Sequence, residues 1–302
     1  MASELERLPE GGRVAVIRLR SLGDCVLTTP ALRILKRYRP DLDVAVVVEP
    51  RFAAVFDGNP DVDRILDPSL GALARLRPRF VINLHGGTRS IGLTVASAAP
   101  RRAGFQHYRA LRAYNVVMPR AQEVLGEERT VHTAEHLASA MFYLGVPQGE
   151  IPRARLFAQP WSEAPRRAYC VIHPFASAPE KAWPAERFAA VARSLRDLEP
   201  VILCGPADDP SPFREFTVLK GLSLEKVKPA IRSATLFIGN DSGPAHMACA
   251  FGIPQVVLYG PSDPVVWAPW KPVAAETLIS ADISRIAVDD VLGAVEQVKA
   301  RV

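Results

Sequence analysis

Short runs rich in apolar, β-branched residues alternate with longer amphipathic stretches along the chain of 302 residues. The runs are mostly apolar without a polar residue at every second position, and the clearest are Val44–Val48, Phe80–Leu84, Tyr169–His173 and Gln255–Tyr259. A strand needs such a continuous pattern when helices cover both faces of its sheet. The alternation therefore predicts repeated strand–helix units and a parallel sheet, the α/β class.

The alternation is interrupted once, over Gly149–Pro165, where three prolines occur and no periodicity is sustained. We expect the linker between two domains there. The strand and helix pattern then restarts, and the length suits two domains of roughly 150 residues each. We predict two doubly wound, Rossmann-like domains, 1–157 and 158–302, that face an interdomain cleft.

Composition excludes several other classes. The longest apolar runs are far shorter than the roughly 20 residues of a membrane span, and the start MASELE lacks the apolar core of an export signal. The four cysteines are scattered without a Cys-x-x-Cys pair, which argues against a zinc ribbon or a disulfide framework. We therefore expect a globular protein of the reducing cytoplasm.

The net charge of +5 is unevenly placed. Residues 1–160 hold 22 Lys+Arg against 16 Asp+Glu, which is +6, and 161–302 hold 15 against 16, which is −1. The excess is almost all arginine, which suits phosphate and carboxylate partners. It indicates an anionic partner for the N-terminal half, such as a phosphorylated glycolipid or a membrane surface, unless it reflects only a GC-rich genome. Nucleic acid is disfavoured, because only 7% of residues are aromatic and none cluster beside the arginines.

The segment FIGNDSGPAH ends one predicted strand and begins a predicted helix. Pro244 suits a first helical position, and Ser242 or Asp241 is a candidate cap. Free N–H groups and the helix dipole make such a start an anion site, which Gly243 lets a phosphate approach closely. His246 lies one turn further on. The alternative is an ordinary capped turn between strand and helix.

The segment RLRSLGD has the same strand-to-helix character, and ligands of doubly wound folds bind at the carboxyl ends of strands. Asp24 is therefore placed to face the cleft, where a carboxylate can accept a proton from an attacking hydroxyl. The alternative is that Asp24 only caps the helix. The chain has no G-x-G-x-x-G fingerprint here, which disfavours a dinucleotide-dependent redox enzyme.

A third segment, HPFASAPEKAWP, follows the first strand of the second half. Its Lys181 carries a compact charge that suits a diphosphate. The alternative is a solvated surface lysine.

The stretches RLRSLGDCVLTTPALRILK, KAWPAERFAAVA and FIGNDSGPAHMACAFGIPQVVLYGPSDP resemble, in order and spacing, glycosyltransferase family 9, the lipopolysaccharide heptosyltransferases. The resemblance covers nearly the whole chain. It implies the GT-B fold and an inverting, metal-independent transferase without a cofactor. It also implies an ADP-heptose donor bound mainly by the C-terminal domain, an anionic lipid A-core-like acceptor bound by the N-terminal domain, and peripheral contact with the inner face of the inner membrane.

The same resemblance implies roles for individual residues. Asp24 would be the general base, and Lys181 would neutralise the leaving diphosphate. The expected contacts to the nucleotide sugar are Asp241, Ser242, Gly243, Pro244, His246 and, on the ribose, Asp209. The expected substrate contacts in the N-terminal loop are Arg20, Ser21, Gly23 and Thr28. Arg20 replaces a smaller polar residue common in the family, so it binds an acceptor phosphate or marks a subfamily. The stretch from Gly205 to Leu224 looks shortened.

Two patterns mimic metal sites. His132-Thr-Ala-Glu-His136 matches the H-x-x-E-H signature of inverted zinc peptidases, with both histidines expected on one helical face. We interpret it as a satisfied, partly exposed histidine pair. Asp41-Leu-Asp43 and Asp61-Val-Asp63 imitate the D-x-D of metal-dependent glycosyltransferases, and we interpret them as turn aspartates.

Two other functions stay open from the sequence. One is a GT-B glycosyltransferase with another sugar nucleotide or acceptor, such as a capsule or protein glycosyltransferase, because fold does not fix function. The other is a non-catalytic nucleotide-sugar-binding protein, against which the joint presence of Asp24, Lys181 and Asp241 argues.

Overall fold

The structure is a computed structural model that describes residues 2–302. The chain divides into two compact units, one ending at Arg155 and the other beginning at Leu156. None of the helices within residues 2–302 combines the length and the apolarity that crossing a membrane requires.

The N-terminal unit is built on a parallel sheet with helices between its strands. Within the described residues its strands are β1 (Arg13–Ile17), β2 (Asp43–Val47), β3 (Arg64–Leu66), β4 (Phe80–Asn83), β5 (Arg101–Phe105) and β6 (Val116–Met118). Its helices are α1 (Leu22–Tyr38), α2 (Pro50–Ala53), α3 (Leu70–Leu76), α4 (Thr88–Ala96), α5 (Ala121–Leu125) and α6 (Thr133–Leu144). The strand order is β3-β2-β1-β4-β5-β6.

The C-terminal unit repeats this plan. Its described strands are β7 (Tyr169–His173), β8 (Glu199–Cys204), β9 (Thr217–Lys220), β10 (Leu236–Asn240), β11 (Gln255–Tyr259) and β12 (Ala275–Ile279). Its helices are α7 (Ala185–Ser194), α8 (Leu224–Arg232), α9 (Gly243–Phe251), α10 (Pro264–Trp267) and α11 (Val288–Lys299). The strand order is β12-β11-β10-β7-β8-β9, again all parallel.

Both sheets have one topology. When strands are counted from the start of each unit, both follow the order 3-2-1-4-5-6, the order of the Rossmann fold. The prediction of two Rossmann-like α/β domains is confirmed. In this fold the strand order reverses beside the first strand, and ligands bind there at the carboxyl ends. The relevant strand pairs are β1 with β4 and β7 with β10.

The central strands are buried as their continuous apolar pattern requires. Every residue of β4, β10 and β11 is buried. In the C-terminal unit, the Trp183 ring packs edge-on against Phe188 at 4.8 Å between centroids. The Trp183 Nε1–H donates to the carbonyl oxygen of Ile286 at 3.0 Å, so the largest buried side chain keeps its polar atom satisfied.

Helix α1 begins earlier than the sequence suggests. The pattern predicts a strand to Leu19 and a loop over Arg20–Asp24, but α1 starts at Leu22 with Ser21 as its N-cap. Pro30 lies within α1 and does not end it. A proline leaves the carbonyl four residues earlier without its usual donor, and the Thr29 hydroxyl donates to that carbonyl, on Val26, at 2.8 Å.

The pattern missed elements where burial is one-sided or polar residues interrupt it. Strand β5 begins with two arginines, and β9 and β12 are partly exposed at the two ends of the second sheet. The stretch from Gly205 to Leu224, which looks shortened, contains β9 and a 3₁₀ turn at Ser211–Phe213.

Candidate active site

Asp24 lies in the first turn of α1, the helix that follows β1. Its Oδ2 accepts hydrogen bonds from the Ser21 N–H at 3.2 Å and from the Ser21 hydroxyl at 3.0 Å. Its Oδ1 accepts a hydrogen bond from Nη2 of Arg18, and the Asp24 side chain is 20% exposed. Asp24 therefore does cap helix α1, because its carboxylate binds the N-cap residue. Capping does not explain the additional ion pair with Arg18.

Arg18 is a buried residue that sequence reasoning missed. Its side chain is 9% exposed, and Nη1 donates to the backbone carbonyl of Leu84 just after β4. One guanidinium thus connects the carboxyl ends of the two strands at which the strand order reverses. The available signal was an arginine at the end of an otherwise apolar strand.

The other substrate contacts predicted near Asp24 differ in their exposure to solvent. Arg20 and Ser21 are exposed, and Gly23 is partly buried beside them. Thr28 is buried, and its hydroxyl donates to the backbone carbonyl of Asp24 at 2.8 Å. That bond commits the Thr28 hydroxyl to helix α1.

A cavity of about 470 Å³ lies at the carboxyl ends of β4 and β5. The residues that line it are His85, Gly86, Gly87, Thr88, Ile91, His107, Tyr108 and Arg109. Asn83, which is fully buried, holds the turn, because its Oδ1 accepts from the N–H groups of His85 at 3.0 Å and Gly86 at 3.1 Å. Gly86 has φ of +74°, and a Cβ there would lie 2.3 Å from the Tyr108 ring. The cavity wall therefore requires a glycine.

Aromatic and imidazole rings pack beside this cavity. His136 stacks on Phe105 with 4.1 Å between ring centroids and lies 5.4 Å from His107. Burial, with smaller contributions from His107 and Arg18, lowers the pKa of His136 to about 4. Burial likewise lowers the pKa of His85 and of His107. The imidazoles at this site are therefore favoured in the neutral form.

The expectation that both histidines of the H-x-x-E-H match share a helical face is wrong. His132 is the N-cap of α6 and precedes the helix, and its Nδ1 accepts from the Ala134 N–H at 3.0 Å. Glu135 is bound by Arg129 and by the His132 N–H. His132 is also buried rather than partly exposed. Within residues 2–302 no cluster of three or more His, Cys, Asp or Glu residues is arranged to hold a metal ion.

The D-x-D imitations consist of aspartates that serve local contacts. Asp41 pairs with Arg39 at 2.7 Å, which lowers the pKa of that carboxyl to about 2. Asp63 accepts from Lys36 at 2.6 Å and from the Val44 N–H at 2.7 Å.

In the C-terminal unit the turn after β10 meets the loop after β7. The Nζ of Lys181 lies 3.5 Å from Oδ2 of Asp241, whose side chain is 10% exposed. Asn240, fully buried, holds both segments together: its Oδ1 accepts from the Trp183 N–H at 3.1 Å, and its Nδ2 donates to the Pro174 carbonyl at 3.0 Å. Two segments that the sequence indicated separately therefore meet at the carboxyl ends of the neighbouring strands β7 and β10.

Helix α9 begins without a side-chain cap. The sequence suggests Ser242 or Asp241 as the cap, and Ser242 is the N-cap residue, but its hydroxyl does not bond to the helix. Pro244 has no N–H to offer, and the Ala245 N–H donates to the Ser242 backbone carbonyl at 3.2 Å. The Ser242 hydroxyl is buried and has no hydrogen-bond partner within residues 2–302. His246 lies one turn into α9 and is 6% exposed.

Two further residues of this unit lie in loops after its strands. Asp209 is exposed and binds the N–H of Ser211 at 3.0 Å and its hydroxyl at 2.7 Å, which lowers the pKa of the Asp209 carboxyl. Gly260, which sequence reasoning missed, follows β11, and a Cβ there would lie 2.6 Å from the backbone oxygen of Glu180. A side chain at position 260 would therefore displace the loop that carries Lys181.

Comparisons with known proteins point to one family. The family model described as glycosyltransferase family 9 (heptosyltransferase) matches residues 72–285. The chain is 26% identical over 288 residues to lipopolysaccharide heptosyltransferase 3 of Escherichia coli K12, covering 83% of each chain. It is 22% identical to lipopolysaccharide heptosyltransferase 1 of Salmonella typhimurium LT2, covering 83% of this chain and 89% of that one.

Solved structures show the same fold. A glycosyl transferase of family 9 from Veillonella parvula has a TM-score of 0.85 at 24% identity, covering 98% of this chain and 99% of that chain. The E. coli ADP-heptose heptosyltransferase II has a TM-score of 0.82 at 18% identity, covering 96% and 99%. The twin Rossmann units and these matches define a GT-B glycosyl-transferring enzyme. Because the family model spans more than half of its length, the chain belongs to glycosyltransferase family 9, the heptosyltransferase family.

We predict that His136 makes the N-terminal unit sensitive to acid. In the unfolded chain its imidazole binds a proton near pH 6.5, whereas in the folded chain it does so only near pH 4. Between these values the unfolded state binds more protons, so the free energy of unfolding falls as the pH falls. Lowering the pH from 7 to 4.5 should reduce the free energy of unfolding by about 2–3 kcal/mol through protonation of His136. Urea unfolding of the wild type and of His136→Phe, which keeps a ring on Phe105, measures the difference. Equal losses in both proteins would contradict the prediction.

Proposed function

We propose that this enzyme transfers a heptose from an ADP-activated donor to a lipopolysaccharide core acceptor, with inversion and without a metal ion. The observation that carries the proposal is the meeting of Lys181 with the start of α9, where a cation, the Gly243 N–H and the Ser242 hydroxyl suit a diphosphate. The names of the relatives support the sugar and the acceptor, and one structure of similar fold is an E. coli heptosyltransferase with ADP.

The donor half of the reaction is assigned to the C-terminal unit. Breaking the bond between sugar and diphosphate leaves negative charge on the departing phosphates. Lys181, the Ser242 hydroxyl and the N–H of Gly243, the first residue of α9, are proposed to stabilise that charge, as preorganised donors can without a metal. Asp241 holds Lys181 at the site. Pro244, His246 and, on the ribose, Asp209 remain proposed contacts to the nucleotide sugar.

The acceptor half is assigned to the N-terminal unit. Asp24 is the proposed general base that takes the proton of the acceptor hydroxyl, so that the hydroxyl displaces the diphosphate in one step and inverts the sugar carbon. Arg20, Ser21 and Gly23 are the proposed acceptor contacts around it. The cavity bordered by His107 and Arg109 suits an anionic sugar, because arginine matches phosphate and carboxylate geometry. Thr28 is proposed to support Asp24 through its bond within α1.

A substrate panel tests the proposed function. The purified enzyme is incubated with ADP-heptose, UDP-glucose or another nucleotide sugar, and with core preparations from strains that lack heptosyltransferase 1, II or 3. We expect ADP release and heptose addition on one of these cores, in the presence of EDTA, with an inverted anomeric configuration. Turnover with a different nucleotide sugar would assign another glycosyltransferase activity, and loss of activity in EDTA would contradict metal independence.

Asp24→Asn should abolish most of the transfer. Loss of a positioned base lowers kcat by about 10²–10⁴-fold, while the affinity for ADP should stay unchanged, because the donor contacts lie in the other unit. The matched control is Asp290→Asn. Asp290 occupies the same third position of α11 and accepts the Ala287 N–H at 2.9 Å, so it reports the cost of losing a capping carboxylate. If both variants kept wild-type kcat, Asp24 would not be the base.

Lys181→Ala should weaken ADP binding. A hydrogen bond to a charged group contributes about 1.5–3 kcal/mol, so the Kd should rise by roughly 10–150-fold, and the partner Asp241 is left facing the phosphates. Lys299→Ala is the control, because Lys299 pairs with Asp197 at 2.9 Å on the surface of the same unit. Calorimetric titration with ADP measures both. An unchanged Kd in Lys181→Ala would remove the phosphate role.

A further inference from the structure

We propose that Arg18 is a positioning residue for the transfer reaction, which orients the Asp24 carboxylate and fixes it to the turn after β4. The inference rests on the proposed function, because it gives Asp24 the role of base. Arg18 itself touches no substrate in this proposal and acts through Asp24.

Arg18 is held at several points. Its backbone N–H donates to the Val47 carbonyl of the neighbouring strand at 3.0 Å. Its side chain is 9% exposed and reaches two acceptors, the Asp24 carboxylate through Nη2 and the Leu84 carbonyl through Nη1. The guanidinium plane is rigid, so these two bonds set the direction from which Asp24 is held.

Stability alone does not account for this arginine. Burying a charge is costly unless every polar atom is satisfied, and the buried Arg18 Nε has no hydrogen-bond partner within residues 2–302. Replacing a buried ion pair by apolar residues of similar volume is often neutral or stabilising. A buried guanidinium at the end of β1 is therefore better explained by what it does to Asp24.

The bonds to Asp24 leave one direction open. A carboxylate offers about four lone-pair positions. Oδ2 accepts two hydrogen bonds from Ser21, and Oδ1 accepts one from Arg18. The remaining position belongs to Oδ1, the oxygen that Arg18 holds. The acceptor proton is therefore transferred to Oδ1, and Arg18 determines where that lone pair points.

Arg18 also connects the base to the cavity. Leu84, which accepts its second bond, directly precedes the turn of His85 to Thr88 that lines the cavity. A shift of the Arg18 side chain would therefore move Asp24 relative to the wall against which we place the acceptor. Misplacement by about 1 Å can cost on the order of 10²-fold in rate.

The competing explanation is a purely structural ion pair, and the chain supplies a matched control. Arg39 has a 17% exposed side chain that pairs with Asp41 and donates to backbone carbonyls, among them that of Leu8 at 3.4 Å. It resembles Arg18 in bonding to one aspartate and to the backbone, is more exposed, and lies far from Asp24 along the chain, at the end of α1. Arg39→Met should lower the thermal midpoint and leave kcat unchanged.

The test measures kcat and both KM values in the transferase assay for Arg18→Met, Arg18→Lys, Asp24→Asn and the double variant Arg18→Met/Asp24→Asn. We expect Arg18→Met to lower kcat by on the order of 10²-fold with an unchanged KM for the nucleotide sugar. Arg18→Lys should recover part of kcat, since an ammonium still reaches a carboxylate or a carbonyl but not both in one plane. The double variant should be no slower than Asp24→Asn alone, because Arg18 acts through that carboxylate.

Each other outcome has one meaning. Wild-type kcat in Arg18→Met, with Asp24→Asn inactive, overturns the inference and leaves the proposed function intact. A double variant slowed by the product of the two single factors assigns Arg18 an independent role and also overturns it. Full activity of Asp24→Asn removes the base, and the inference with it. If Arg18→Met does not fold, the comparison of Arg18→Lys with Arg39→Lys decides, since equal kcat in these two would refute a positioning role.

Discussion

A buried asparagine ends the fourth strand of each unit, and these two amides hold the backbone of the loops that border the candidate site. Asn83 binds the N–H groups of the turn after β4, and its Nδ2 donates to the Tyr114 hydroxyl at 2.9 Å. Asn240 binds the backbone on both sides of Lys181. A buried amide must satisfy its donors and acceptors or lose several kcal/mol, so each asparagine fixes the loops around it.

The fold could be predicted because its determinants are local. Covered parallel strands read as continuous apolar runs, and the central strands at Tyr169–His173 and Gln255–Tyr259 have the predicted bounds. Strand order depends on pairings between distant segments, which the pattern along the chain does not specify, and the structure supplies it. Exposed outer strands such as β12 carry no continuous apolar run, so their pattern is weak. Helix α1 continues through Pro30, and the Thr29 hydroxyl satisfies the Val26 carbonyl there, a single contact that periodicity does not reveal.

The sequence indicated which segments form the candidate site but not which side chains contact each other there. The strand-to-helix turns and Lys181 could be recognised, because small polar residues before a helix have known chemistry. The contacts between these residues depend on tertiary packing, which the sequence does not show. They are the pairs Lys181 with Asp241, Arg18 with Asp24, and Gly260 with Glu180. The histidine pair shows a different limit of the sequence: the H-x-x-E-H spacing does not reveal that the helix begins after the first histidine.

The loop that carries Lys181 is hydrogen-bonded to the Asn240 side chain at two points, Pro174 and Trp183. The indole N–H of Trp183 makes a further hydrogen bond. A loop held at both ends in this way cannot move as a hinged lid without breaking these buried hydrogen bonds. The lysine can still change rotamer, but its backbone is preformed before any nucleotide arrives. The conformational entropy of this loop is therefore lost when the protein folds, and ligand binding does not lose it a second time.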